Sequence, residues 1–197
     1  MTGAPRPTRT PARLRRLGFG AFGAVVAASL GWLAFVDAMA DRDAVDRLGF
    51  IKERVRAQFP AAPQLSTSDF HRRLEAGERF VVLDVRTADE FAVSHLPGAI
   101  RVDPSSPPAL PAAVADLAND TTVVAYCAVG WRSSKWVEGL RRQGVDAVNL
   151  EGSIFQWIAE DRPVERGGRP VTVVHPYSQP WAWLVDPEHR AFEPARP

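Results

Sequence analysis

The sequence of 197 residues holds a single cysteine, Cys127. One thiol excludes an intramolecular disulfide and any metal site built from several cysteines. Histidine is scarce as well, with four in the chain. His71, His175 and His189 have no partner at a ligand spacing, so they are expected at the surface and no metal site is expected. Acid is absent from residues 1–16, which carry Arg6, Arg9, Arg13, Arg15 and Arg16. Without those five, the basic side chains, 24 in all, fall below the 23 acidic ones. A basic tail on a mildly acidic body argues against nucleic-acid binding. No internal repeat is visible.

Charge of either sign is missing from residues 17–36, "LGFGAFGAVVAASLGWLAFV". Such a run is long enough to cross the hydrocarbon core of a bilayer as a helix. The arginines before it predict a cytoplasmic N-terminus and a body outside, and Trp32 suits an interfacial anchor. The alternative is a signal peptide cleaved near Ala40. Ala38-Met39-Ala40 supplies an A-x-A pattern and Arg15-Arg16 an arginine pair. The run exceeds an ordinary signal core, which favours the uncleaved anchor.

The body reads as strands alternating with short helices. Residues 43–59 place Val45, Leu48, Ile51 and Val55 at helical spacing, predicting an amphipathic linker helix within 41–60 that is a stalk or a docking helix. Ser66 or Thr67 opens a short helix with Phe70 and Leu74 inward and Gly77 as its stop. "FVVLDV", 80–85, is a buried strand. Thr87 with Glu90 three residues on forms a capping box for another short helix. A second strand lies near residues 100–102, and a helix near 110–118 follows a proline-led loop. "TTVVAYC", 121–127, is a third strand, followed by a helix that starts near Ser133 and stops at Gly144. "AVNL", 147–150, is a fourth strand and "GSIFQWIAEDR" a last helix. The pattern predicts an α/β fold: a parallel sheet with helices on both faces, preceded by the membrane or signal helix and the linker helix. Residues 167–197, rich in proline and tryptophan, have no periodicity. Wrapping over the domain is their ordinary fate, with a membrane or partner contact through Trp181 and Trp183 as the other reading.

Cys127 falls at the C-terminal end of a strand, where such sheets bind ligands. Backbone amides of 128–133 and the positive end of the next helix can converge on it, and both favour thiolate over thiol. Gly130 lets the loop curl, and Arg132 adds a permanent charge with a fork of donors. The residues alone leave two readings: a thiolate in an anion cradle, or a buried cysteine acting as a small hydrophobe.

The loop Cys127-Ala128-Val129-Gly130-Trp131-Arg132-Ser133 resembles the C-x-x-G-x-R-S active-site loop of the rhodanese family of sulfurtransferases. "VVLDVRTADEFAVSHLPGAIRV" is similar to a second family segment through Asp84, Arg86, Glu90, Phe91, His95, Pro97, Gly98 and Ala99. "VNLEGSIFQWI" with Trp157 resembles the closing helix. The likeness spans about residues 64–166. It implies that Cys127 carries sulfur as a persulfide from a small donor to an external thiol or cyanide, with Arg132 in the catalytic pair. Ala128, Val129, Gly130, Trp131 and Ser133 would line the substrate. Asp84, Arg86, Glu90 and His95 would form one structural brace. No metal or organic cofactor is implied. Two rivals remain: a non-catalytic interaction module displayed on a membrane, and a phosphatase or arsenate reductase. The second is disfavoured because those enzymes carry C-x5-R, and Cys127 to Arg132 is C-x4-R.

Overall fold

The computed structural model describes residues 44–117 and 121–194. The basic tail, the expected membrane or signal segment and Ala40 lie outside the described residues. Among the described residues no helix is long and apolar enough to cross a membrane.

Helix α1 (Ala44–Gln58) leads into strand β1 (Gln64–Leu65), helix α2 (Thr67–Glu75) and strand β2 (Val81–Asp84). Helix α3 (Ala88–Val93), strand β3 (Ile100–Arg101), helix α4 (Ala112–Ala115) and strand β4 (Val123–Tyr126) follow. Helix α5 (Trp131–Arg142), strand β5 (Ala147–Leu150) and helix α6 (Ser153–Ala159) complete the layered part. The five strands form one sheet in the order β1-β5-β4-β2-β3, every pair parallel. The apolar runs of β2 and β4 are buried along their whole length, as a strand covered on both faces requires.

Alternation along the strands divides the core in two. Val82, Val124, Tyr126 and Leu150 face α6, Phe70 of α2 and Leu48 of α1. Val81, Leu83, Val123, Ala125, Cys127 and Ala147 face Trp136, Val137 and Leu140 of α5. Helices therefore cover both faces, as the pattern predicts. Of stalk and docking helix, α1 is the second. Leu48 and Val55 are buried against the domain, Lys52 Nζ donates to Gln156 at 3.2 Å, and Arg56 holds Glu151 with two bonds of 2.6 and 2.8 Å.

Several local expectations shift. Ser66 is the N-cap of α2, its oxygen accepting from the Asp69 amide. Phe70 is buried, but Leu74 is 37% exposed, because the nine-residue helix turns only its first half onto the core. Helix α4 is shorter than 110–118. Helix α5 begins at Trp131, two residues before the expected start, because Gly130 supplies its left-handed N-cap. Among the elements not foreseen are strand β1, an antiparallel hairpin of β6 (Val164–Arg166) and β7 (Arg169–Val171), and two short 3-10 helices, Gln179–Leu184 and Pro187–His189. Beyond the hairpin the C-terminal segment wraps over the domain, with Val174, Leu184 and Val185 buried in the core on the α6 face.

Candidate active site

Strand order reverses between β2 and β4, so a crevice opens at their C-terminal ends. Cys127 leaves β4 at this point, and the helix after β2 brings Glu90 to Arg132 beside it. Only residues 128–130 separate Cys127 from α5. The loop is held from the other side by the start of α6. Ile154 and Phe155 amides donate to the carbonyls of Cys127 and Ala128 at 3.2 and 3.1 Å. The Cys127 amide donates to Ser153 Oγ at 3.1 Å. These bonds turn the side chains of Ala128 and Val129 into the core, where both are buried. What these two can offer a substrate is backbone.

Gly130 has φ +100°, and a Cβ there would stand 3.1 Å from Asn149 Nδ2. The backbone conformation favours glycine, and the space beside it is tight. Its amide donates to Cys127 Sγ at 3.2 Å, and Ser133 also favours the thiolate. The Ser133 hydroxyl has one proton, and it is donated to Asn149 Oδ1 at 2.6 Å. The sulfur-bearing residue is only 1% exposed. Burial pushes the thiol pKa up; the Arg132 guanidinium, Ser133 and the Gly130 amide outweigh burial and hold it below the ordinary value.

Arg132 donates through Nη1 and Nη2 to Glu90 Oε2 and Oε1 at 2.8 and 2.7 Å, and its charge acts on Cys127. Glu90 Oε2 further accepts from the Thr87 amide at 3.0 Å and hydroxyl at 2.9 Å. The predicted capping box is present, and its glutamate also clamps the site arginine. Burial pushes the Glu90 carboxyl up, but Arg132, the Thr87 amide and Arg86 prevail and hold it below the usual carboxylate range. Trp131 is 45% exposed. Its ring meets Phe59 edge-on at 5.1 Å, beyond the end of α1.

The four residues expected as one brace are divided. Asp84 accepts three bonds of 2.6–3.1 Å from the Arg86 side chain, and Arg86 also donates to Ser94 O at 2.6 Å. Tyr126, absent from the expected set, donates to Asp84 Oδ2 at 2.6 Å and accepts from the Leu96 amide at 3.0 Å. Burial pushes its phenol pKa well up, and Asp84 beside it adds to this. Glu90 belongs with Arg132. His95 stacks on Phe91 with centroids 3.8 Å apart and is bridged to Glu165 of β6 through backbone bonds of 2.9 and 2.8 Å. The three other histidines are not bare surface residues. His71 packs edge-on against Trp157, His189 Nδ1 meets Thr172 O at 2.7 Å, and His175 accepts from the Tyr177 amide. A lone tyrosine ending an otherwise aliphatic strand beside an acidic strand end was the signal for Tyr126. Nothing in the sequence signals Tyr177, whose ring centre lies 4.9 Å from the Arg132 guanidinium.

The Rhodanese-like domain family matches residues 66–160. YtwF of Bacillus subtilis (strain 168) is 30% identical over 100 residues, covering 51% of this chain and 94% of that protein. A sulfurtransferase of Allochromatium vinosum is 28% identical over 102 residues, covering 51% and 92%. The crystal structure of thiosulfate sulfurtransferase from Pseudomonas aeruginosa is similar with a TM-score of 0.50 and 27% identity. That likeness covers 63% of this chain and 23% of the other. With nearly the whole of YtwF covered at this identity, and with the fold and the cysteine loop agreeing, this chain belongs to the rhodanese-like domain family.

Proposed function

We propose that the protein is a sulfurtransferase that carries sulfane sulfur as a persulfide on Cys127. The observation that carries this reading is the sulfur itself: buried, met by the Gly130 amide at 3.2 Å, and held beside Arg132 at the switch point of the sheet. In the first step the Cys127 thiolate attacks the outer sulfur of a donor. A bond from Sγ to that sulfur forms as the donor's S–S bond breaks, and the leaving group departs as sulfite or a thiolate. The amide and guanidinium donors then face a persulfide anion. In the second step an external thiolate or cyanide attacks the outer sulfur and expels Cys127 as a thiolate. No electrons beyond those of the two sulfur compounds are needed. The acceptor is external because no second cysteine exists in the chain.

The site favours a persulfide over thiosulfate as donor. Arg132 is the cation at the loop, and Glu90 already takes two of its donors. Trp131 presents an uncharged face, so a dianion finds little free positive charge. The test is intact mass after incubation with thiosulfate and, separately, with glutathione persulfide. The native protein gains one sulfur atom, more readily from the persulfide, and Cys127→Ser gains none while retaining its fold. Sulfur loading in that variant, or none in the native protein with either donor, refutes the proposal. The latter result would leave an interaction module as the better reading.

A further inference from the structure

The family match ends at residue 160, yet the wall of the site does not. The C-terminal segment returns over the domain and is pinned by a bridge between Val174 and Arg190 and by buried Leu184 and Val185. Between these anchors the chain reverses at Tyr177. The Ser178 amide donates to Pro176 O at 2.8 Å, which closes a three-residue turn around Tyr177 at φ +68°. A γ-turn of positive φ is rare and strained, and tyrosine is a bulky residue for that region. His175 Nδ1 accepts the Tyr177 N–H at 3.0 Å, and the Trp181 ring stands edge-on at 6.3 Å.

The strained turn aims the ring at one target. The Arg132 guanidinium carbon lies 4.9 Å from its centre, a cation–π contact. Tyr177 remains 46% exposed, so burial of the ring does not account for its place. Arg132 is thereby held on two sides next to the sulfur on which its charge acts: Glu90 takes its in-plane donors, and Tyr177 lies against the guanidinium. The charged groups around this assembly are Glu90 and Asp89 of α3, Arg86 after β2, and His175, which faces all three. Under the assembly the reactive sulfur is almost closed off, although a donor must reach it in line with the bond to be broken.

We infer that Tyr177 is a positioning residue for sulfur transfer: its ring holds the Arg132 guanidinium beside Cys127 and walls the entrance, favouring donors whose reacting end is a singly charged persulfide over the compact thiosulfate dianion. The selectivity rests on the sulfurtransferase reading; the positioning does not. The motive is a bulky residue kept in a rare turn, on a segment outside the family match, with its ring on the one arginine of the cysteine loop.

Alkylation of Cys127 tests this without any sulfur donor. Rates of the full chain with iodoacetamide and with the larger N-phenylmaleimide, measured against pH, give a midpoint and a plateau for each variant. Tyr177→Ala raises the midpoint by about half to one pH unit, a loss of roughly threefold to tenfold in reactivity below it. Its plateau with the maleimide rises by about fivefold or more, and rises less with iodoacetamide, since a wider entrance helps the larger probe more. Tyr177→Phe restores both parameters, because the ring and not the hydroxyl makes the contact. Tyr177→Gly tolerates the positive φ, so it shows the alanine phenotype while melting no lower than the native protein. If Tyr177→Ala is folded and matches the native protein in midpoint and plateau, the inference fails. If those parameters move but no donor ever loads Cys127, the positioning stands and the sulfurtransferase reading falls.

Discussion

Replacing Arg132 by alanine perturbs the nucleophile and the fold at one position, with separable pH signatures. A unit charge about 4 Å from a thiolate, at an effective dielectric of about 20, contributes roughly 4 kcal/mol. Glu90 sits on the same guanidinium with bonds of 2.7 and 2.8 Å and offsets part of this. A net of about 1–2 kcal/mol remains, so the Cys127 midpoint should rise by about one pH unit. The fold loses a different quantity. Without Arg132 the buried Glu90 carboxylate retains only its bonds to Thr87. Removing one partner of a buried pair costs about 3–5 kcal/mol. The Arg132 side chain keeps 24% exposure, so water reaches the vacancy and about 2 kcal/mol is the expected loss. In the native protein the folded Glu90 pKa lies below its unfolded value. The pair therefore stabilises the fold above the unfolded value, and this is lost as pH falls through the folded one. In the variant only the Thr87 amide and Arg86 still oppose burial, so the folded pKa should rise above the unfolded one. The penalty is then full near neutral pH and fades as pH falls from the raised value toward the unfolded value. Urea unfolding near pH 7.5 and again near the unfolded carboxylate pKa reads the second effect; iodoacetamide rates against pH read the first. Adding Glu90→Gln should recover much of the stability and none of the reactivity. An unchanged alkylation midpoint would show that the amides of Gly130 and Ser133 set the thiolate. An equal penalty at both pH values would show that Glu90 is not left charged.

Trp131→Lys places a cation at the mouth beside Arg132. It should raise kcat/KM for thiosulfate about tenfold, equal to roughly 1.4 kcal/mol, and leave a persulfide donor less affected; no gain would assign Trp131 to packing on Phe59. Tyr126→Phe removes the donor to Asp84 and the acceptor for the Leu96 amide. It should cost about 1–3 kcal/mol in denaturant unfolding while kcat/KM stays within about twofold. Loss of transfer in the folded variant would bring the Asp84 group into the mechanism.

The strands most legible in the sequence are those buried on both faces. β2 and β4 stand out as mainly apolar runs because neither face meets water, and β5 shows the signal more weakly, with Val148 half-buried and Asn149 polar. β1 has no such signal. Its two residues are half-buried, and it is a strand because Pro63 and Leu65 offer carbonyls to the Asn149 and Glu151 amides at 2.8 and 2.9 Å. That information resides in β5. The hairpin of β6 and β7 did carry a signal. Gly167 and Gly168, both at positive φ, form a two-residue turn of the kind that favours glycine pairs. A boundary drawn between 166 and 167 cuts it in half. The start of α5 moved for a related reason: Gly130, read as a hinge of the loop, also serves as the N-cap.

In the site, legibility follows the distance over which each contact acts. Cys127, Gly130 and Arg132 lie within one loop and the first turn of a helix, so their spacing already constrains their geometry. Glu90 was legible as a local cap but not as the partner of Arg132. Its two oxygens serve both roles, Oε2 toward Thr87 and Arg132 together and Oε1 toward Arg132 alone. Asp84 and Arg86 make their hydrogen bonds apart from the Glu90–Arg132 pair because strand alternation separates the two faces. Tyr126 and Cys127 are neighbours, yet strand alternation sends the first into the α6 face and the second into the α5 face. Asp84 pairs with Tyr126 in register, so the Asp84–Arg86 pair goes with the tyrosine and away from the sulfur. Glu90 escapes that parity because it stands on a helix, free to reach over the strand ends. The charges that hold the fold and the charges that face the nucleophile are thus divided by the sheet, with Glu90 of α3 crossing to the sulfur side.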